Sequence, residues 1–191
     1  PIAKTTTTTL LTEDCVLPTV TLSGTTSIAE NAAGTVTLTA TLSAASATST
    51  TVTLTYTGTA SGTDYTASST TIVIPAGSLT GTVTIDPTDD AIFEGSETVI
   101  ADITGVTSTS GVTENGTQTA TVTITDNETA PTVTLSGTTS IAENAAGVAT
   151  LTATLSVATT TATTVTLTYT GTAGGTDYTA SGTTIVIPAG S

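Results

Sequence analysis

Acidic side chains are the residues of this sequence whose types and positions best suit chemistry. Glu30 follows a short apolar stretch, Asp64 lies in a Gly- and Thr-rich loop, and Asp126 and Glu128 follow a run of alternating threonine and apolar residues. The largest group is the loop 89–97, with the sequence Asp-Asp-Ala-Ile-Phe-Glu-Gly-Ser-Glu. These carboxylates avoid the middles of strands and concentrate at strand ends and turns.

This distribution favours a bound cation. The loops at one end of an antiparallel sandwich can converge, and carboxylates gathered there repel one another. The only basic side chain is Lys4 and the chain has no His, so ion pairs cannot balance the acids. Ca²⁺ accepts about six to eight oxygen ligands in irregular geometry, whereas zinc favours His and Cys. We therefore expect Ca²⁺, the alternative being solvated acids that maintain solubility.

The same residues offer little for catalysis. Without His there is no Ser-His-Asp triad, and Cys15 has no neighbouring base to activate it. A pair of carboxylates could in principle cleave a glycosidic bond, but the chain has no Trp on which a sugar would stack. We predict that the protein is not an enzyme.

An internal repeat organises the chain. Pro18 to Gly34 recurs without change as Pro131 to Gly147, and the segment around Asp64 recurs around Asp177 at the same spacing. We predict a complete repeat at residues 18–130 and an incomplete first half of the next repeat at 131–191. Residues 1–17 are predicted to be the last strand of a preceding repeat, an N-terminal extension or a donor strand.

Threonine and apolar residues alternate through most of the repeat, which is typical of half-buried β-strands. Gly, Pro, Ser and Asn clusters separate the alternating segments. The pattern predicts an all-β fold of tandem immunoglobulin-like Greek-key β-sandwiches with about seven strands per repeat. The predicted strands are Val20–Leu22, Val36–Leu42, Val52–Tyr56, Thr71–Ile74, Thr82–Ile85, Thr98–Ile103 and Ala120–Ile124.

Composition excludes several partners. The formal net charge is −14 with a single basic residue, so nucleic acid is excluded because phosphate binding requires Lys and Arg. No apolar run is long enough to span a membrane, and the single Cys15 cannot form an intrachain disulfide. A threonine-rich, weakly charged surface predicts a secreted protein at the cell surface.

The repeat resembles the Calx-β domain, as found in large bacterial surface and adhesin-like proteins. The resemblance spans residues 18–128 and rests on Ala29-Glu30-Asn31, the Gly58–Tyr65 segment, Ile74-Pro-Ala-Gly77, the loop 89–97 and Val122–Asn127. The resemblance implies a calcium-binding sandwich. It also implies a set of metal ligands, all of them side chains except the backbone carbonyl of Ile92. The set is Glu30, Asp64, Asp89, Asp90, Ile92, Glu94, Glu97 and Asp126, with Glu143 and Asp177 as the incomplete set of the second repeat.

The predicted function is structural. Repeats in series, stabilised by Ca²⁺, would form the stalk of an adhesin or the subunit of an extracellular fibre, with neighbouring repeats or identical chains arranged head to tail. The alternatives are a calcium sensor, an adhesive module that recognises a ligand, and, remotely, an ice-binding threonine surface. Asn115-Gly-Thr117 and Asn127-Glu-Thr129 fit the N-glycosylation pattern, and exposed threonines could carry O-glycans.

Overall fold

A computed structural model describes residues 16–24 and 26–191 of the 191-residue chain. Most of the predicted segment 1–17, including Cys15, therefore lies outside the described residues. Within the described part the regular structure consists of strands, and the all-β prediction is confirmed. No helix there is long and apolar enough to cross a membrane.

Eleven strands lie in the described residues before Pro131. They are β1 (Thr19–Gly24), β2 (Ser27–Ala29), β3 (Val36–Leu42), β4 (Thr50–Gly58), β5 (Tyr65–Ala67), β6 (Thr71–Ile74), β7 (Thr80–Pro87), β8 (Ile92–Phe93), β9 (Glu97–Thr107), β10 (Thr113–Glu114) and β11 (Thr119–Thr125). Each of the seven predicted strands lies within one of the longer observed strands. The four extra strands, β2, β5, β8 and β10, have two or three residues each, which is too short for alternation to be visible in the sequence.

Two five-stranded sheets contain ten of these strands. One has the order β10-β1-β3-β7-β5 and the other the order β2-β11-β9-β4-β6. Most neighbours are antiparallel, but β10 pairs with β1 and β2 pairs with β11 in parallel. The short strands β2 and β10 therefore form through pairing with a distant segment, which local sequence does not reveal.

The alternation of threonine and apolar residues places the core between the two sheets. In β3 the apolar side chains are buried and the intervening threonines are more exposed. Leu38, Ile85 and Val36 from the first sheet and Ile72 and Val99 from the second are almost completely buried. Burying such side chains contributes about 1.5–3 kcal/mol each relative to leaving them in water.

The remaining strands are β12 (Val133–Gly137), β13 (Leu151–Leu155), β14 (Ala158–Thr159), β15 (Thr163–Thr166) and β16 (Thr184–Ile187). They form the antiparallel pairs β12-β13 and β15-β16. Strand β14 instead pairs in parallel with β8 of the preceding repeat, Ala158 opposite Ile92 and Thr159 opposite Phe93. The repeat boundaries at residues 18, 130 and 131 stay predictions.

Candidate metal centre

Glu30, Asp126 and Glu128 form a first group of carboxylates, which we call the β2–β11 group. Strands β2 and β11 run in parallel with Ala29 opposite Thr125, so the residues that follow them leave the sheet side by side. The backbone N–H of Glu30 donates a hydrogen bond to the carbonyl of Thr125 at 2.9 Å. As a result, one carboxylate oxygen from each of the three side chains lies within 4.8 Å of the others.

Asp64, Glu94 and Glu97 form the second group, which we call the β5–β9 group. Asp64 directly precedes β5, and Glu97 is the first residue of β9. The loop before Asp64 is held against the start of β9 by a hydrogen bond from the Ala60 N–H to the Thr98 carbonyl, at 3.1 Å. Carboxylate oxygens of the three side chains again lie within 4.8 Å of one another.

Asp126 connects the two groups through the backbone of the acidic loop. Its Oδ2 accepts hydrogen bonds from the N–H groups of Glu94, at 2.7 Å, and Gly95, at 2.5 Å. Its Oδ1 accepts a third from the N–H of Glu128, at 2.7 Å. One carboxylate therefore fixes both the start of the linker after β11 and the loop that carries Glu94.

Two carboxylates have pKa values below their ordinary range although they are partly desolvated. Burial raises the pKa of Asp126, but its three backbone hydrogen bonds outweigh burial and lower the pKa overall. The same holds for Asp64, where hydrogen bonds from Ser61, Thr63 and Glu97 overcome desolvation. Both side chains are therefore held in the charged form that binds a cation.

Four carboxylates of the two groups have pKa values above their ordinary range. One is Glu128, whose pKa is raised by burial, by a hydrogen bond to Asp126 and by the charges of Glu30 and Asp126. Burial, followed by the hydrogen bond to Asp64 and the charges of Asp64, Glu94 and Glu30, raises the pKa of Glu97 to about 7. Burial and the nearby acids also raise the pKa values of Glu94 and Glu30. Glu30 is only 6% exposed. Acids in this arrangement are electrostatically strained unless a positive charge joins them.

The structure brings together five of the predicted ligands: Glu30, Asp64, Glu94, Glu97 and Asp126. Asp90 lies beside them, since its N–H donates to Glu30 Oε1 at 2.9 Å, but its carboxylate accepts a bond from the Ile92 N–H and belongs to neither group. Asp89 is exposed and also belongs to neither group.

The predicted ligands of the second repeat are both exposed. Glu143 lies on the surface, and the Oδ2 of Asp177 accepts a hydrogen bond from the Gly174 N–H at 2.7 Å. Within residues 131–191 no third carboxylate accompanies them. This pair is therefore only part of the set that the first repeat assembles.

Glu128 is not among the predicted ligands, although the sequence places it among the acids that follow the last strand. Its spacing of two residues from Asp126 was the available signal. The Asp126 side chain lies in the β2–β11 group and accepts a hydrogen bond from the Glu128 N–H. The chain therefore turns after Asp126, and this turn places the Glu128 carboxylate in the same group.

The carboxylate groups fit a hard divalent cation. Oε2 of Glu128 is buried and accepts no hydrogen bond within the described part of the chain, which leaves it free for a metal. Residues 16–191 contain no Lys, Arg or His that could take that place. Two groups of three carboxylates supply oxygen ligands of the type that Ca²⁺ and Mg²⁺ bind.

Comparisons with known proteins agree with this architecture. No family model matches the sequence, and no curated protein sequence matches it. Among solved structures, the apo form of the Calx CBD1 domain superposes with a TM-score of 0.50 and 23% identity, over 59% of this chain and 100% of that domain. The fold is Calx-β-like. CBD12 of CALX1.2 and the calcium binding domain CBD12 of CALX1.1 give TM-scores of 0.48 and 0.47, at 21% and 25% identity. These two matches cover 58% and 55% of this chain and 44% of each of those chains.

Proposed function

We propose that this Calx-β-like protein is a calcium-stabilised structural repeat of an extracellular rod or filament. The observation that carries the proposal is the pair of carboxylate groups, the β2–β11 group and the β5–β9 group, at one end of the sandwich. Bringing six acids together without a basic side chain in residues 16–191 opposes folding. A bound cation removes that opposition.

Calcium suits these groups better than other metals. The ligands come from loops and strand ends separated by up to about a hundred residues, and Ca²⁺ tolerates the irregular geometry that results. Mg²⁺ requires an almost regular octahedron and retains its waters. Zinc would favour His and Cys, which the site does not offer. Extracellular calcium modules bind with dissociation constants of about 10⁻⁴–10⁻³ M.

The position of the site explains how calcium would stiffen a rod. Strand β8 lies between Asp90 and Glu94, and it pairs with β14 of the next repeat. Asp126, which holds the loop after β8 through the N–H groups of Glu94 and Gly95, also begins the short linker to Pro131. Cations bound in the two groups, one at Glu94 and one at Asp126, would therefore order both connections between consecutive repeats.

The test compares the protein with and without calcium. At a calcium concentration about ten times the dissociation constant, one site stabilises the folded state by about 1.4 kcal/mol. This free energy raises the melting temperature of one repeat by roughly 6 °C. Calorimetric titration measures the dissociation constant, which sets the stabilisation free energy. Thermal melts in 5 mM CaCl₂ and in chelator measure the change in melting temperature. Asp126→Asn should abolish most of the shift.

The matched control is Asp102→Asn, which removes one carboxylate from strand β9 outside both groups. It should keep the full calcium-dependent shift. X-ray scattering of the full chain should show a narrower distribution of inter-repeat distances with calcium. A melting temperature unaffected by chelator would refute the proposal, and a large change in the mean shape would favour a calcium sensor instead.

A further inference from the structure

Two Asn-X-Thr sequences, the acceptor pattern for N-linked glycans, lie in the first repeat, and the structure places them in different surroundings. They are Asn115-Gly-Thr117 and Asn127-Glu-Thr129. An N-linked glycan is bulky and hydrated, so its Asn must lie at the surface with the side-chain nitrogen accessible. Neither Asn31 nor Asn144 is followed two residues later by Ser or Thr. The comparison is therefore between Asn115 and Asn127.

Asn115 lies in the turn between β10 and β11, where the acceptor pattern is accessible. Asn115, Gly116 and Thr117 are all exposed. Within the described residues, the hydrogen bonds of Asn115 use its backbone. Its N–H donates to the Val20 carbonyl at 3.0 Å, and its carbonyl accepts a bond from Gln118 Nε2 at 2.6 Å. The backbone of the turn is therefore fixed, while the Asn115 side chain stays available for modification.

The position of this turn accommodates a bulky group. Strand β10 is the last strand of its sheet, so a group attached directly after it meets no further strand of that sheet. The turn and Asp126 lie at opposite ends of β11, which has 7 residues and is therefore about 20 Å long. A glycan on Asn115 would leave the β2–β11 group uncovered. A bulky hydrophilic group at a sheet edge would also hinder pairing with another chain.

Asn127 lies in different surroundings. Its Nδ2, the atom that would carry the sugar, donates a hydrogen bond to Glu128 Oε1 at 3.2 Å. Glu128 belongs to the β2–β11 group, and its N–H donates to Asp126 Oδ1 at 2.7 Å. A sugar on Asn127 would therefore lie beside these carboxylates, and the turn that contains Asn127 is held by them.

We propose that Asn115 is the attachment site of an N-linked glycan and that Asn127 is not. The donor is an oligosaccharide carried on a polyprenyl phosphate or pyrophosphate. In the transfer, Asn115 Nδ2 forms a bond to the anomeric carbon of the first sugar, and the bond from that carbon to the phosphate oxygen breaks. The phosphate leaves with the electron pair, and a proton of Nδ2 passes to a base of the transferase. This inference rests on the extracellular location in the proposed function, because N-linked glycans are carried by secreted proteins, and it does not depend on calcium.

The site is tested first on the protein isolated from its native source. Proteolytic cleavage before Asp residues suits this chain, because it yields a peptide 102–125 with Asn115 and a peptide 126–176 with Asn127. Once this digestion has been stopped, peptide-N-glycosidase in heavy-oxygen water converts a glycosylated Asn to labelled Asp, which mass spectrometry detects. A sample kept in the same water without glycosidase is the control, since Asn-Gly sequences deamidate spontaneously. We expect an occupancy at Asn115 at least tenfold higher than at Asn127.

A second assay tests the folded chain directly. The purified 191-residue chain in 5 mM CaCl₂ is incubated with a single-subunit oligosaccharyltransferase that accepts Asn-X-Thr and with a polyprenyl-pyrophosphate-linked oligosaccharide. We expect one glycan per chain, attached to Asn115. Thr117→Ala removes the hydroxyl of this acceptor pattern and should abolish attachment. Thr129→Ala is the matched control and should keep attachment at the wild-type level. Circular dichroism confirms that the first repeat is folded in each variant.

The outcomes decide the proposal separately from the calcium-dependent function. An unmodified Asn115 in the native protein refutes the glycan site, and so does equal modification of Asn115 and Asn127 in the folded chain. Attachment that survives Thr117→Ala reveals a different site and also refutes the proposal. The calcium-dependent change in melting temperature is a separate measurement, so a failure of the glycan site and a failure of the calcium-stabilised rod are observed independently.

Discussion

Glu97 offers the sharpest test of the carboxylate site, because replacing it with Gln should stabilise the calcium-free protein at high pH and reduce the stability that the protein gains from calcium. Glu97 lies beside Asp64 and Glu94, and burial and these neighbours raise its pKa to about 7. In the unfolded chain its pKa is near 4.5, the ordinary value for a Glu side chain. Gln retains the shape of the side chain and can donate a hydrogen bond to Asp64, but it cannot ionise.

The sign of the effect follows from proton linkage. Between pH 4.5 and 7 the folded protein binds more protons at Glu97 than the unfolded chain does, so the stability from this group falls as pH rises. A rise in the pKa of Glu97 from 4.5 to about 7 would correspond to at most ~3.4 kcal/mol of folding free energy. Solvent screening of this partly exposed group reduces the expected loss of stability to about 1–2 kcal/mol. In chelator, Glu97→Gln should therefore match the wild type at pH 4 and exceed it by about 1–2 kcal/mol at pH 8.

Calcium should narrow this difference in stability between the variant and the wild type. At a calcium concentration about ten times the dissociation constant, a site of the wild-type protein gains about 1.4 kcal/mol. The Glu97→Gln variant has lost one charged ligand of the β5–β9 group and should gain less than half of that amount.

Urea unfolding followed by circular dichroism, at pH 4 and pH 8, in chelator and in calcium, measures these four free energies. Asp102→Asn, on the same strand but outside both groups, should gain as much stability from calcium as the wild type does at each pH. The reasoning is wrong if Glu97→Gln destabilises the calcium-free protein at pH 8, or if its calcium-dependent gain equals that of the wild type.

Three further predictions concern other parts of the molecule. Leu38→Ala leaves a cavity in a completely buried position and should cost about 2–5 kcal/mol of stability in urea unfolding. Leu151, the counterpart of Leu38, is 39% exposed, so Leu151→Ala should cost less than about 1 kcal/mol. Equal losses of stability would contradict the difference in burial. Gly58 has a φ of 128°, and a Cβ at this position would lie 2.0 Å from a backbone carbonyl oxygen. Its counterpart Gly171 has open space around it. Gly58→Ala should therefore lower the melting temperature much more than Gly171→Ala. Asp126→Asn replaces a carboxylate that accepts hydrogen bonds from three N–H groups with an amide that is partly a donor, and it should cost about 1–3 kcal/mol of stability even in chelator. Calorimetry in chelator measures this loss. An unchanged stability in chelator would show that the three hydrogen bonds do not hold the loop.

Much of the fold could be predicted because strand periodicity is a local property. Threonine alternates with Val, Leu or Ile in segments such as Val36–Leu42, and that alternation specifies both the strand and its buried face. The internal repeat added the expectation that Pro131 begins a second copy of the same strands. Strands of two or three residues, such as β2 and β8, could not be predicted, since they form only where a distant strand supplies hydrogen-bond partners.

The sequence alone determined which residue types are present at the site and that no basic side chain beyond Lys4 could neutralise them. Only the tertiary structure decided their grouping. The parallel pairing of β2 with β11 places Glu30 beside Asp126, although about a hundred residues separate them in sequence. The turn after Asp126 returns Glu128 to the same group, while Asp89 and Asp90 stay outside it. Carboxylate grouping depends on strand register and loop direction, which arise from long-range pairing and not from local composition.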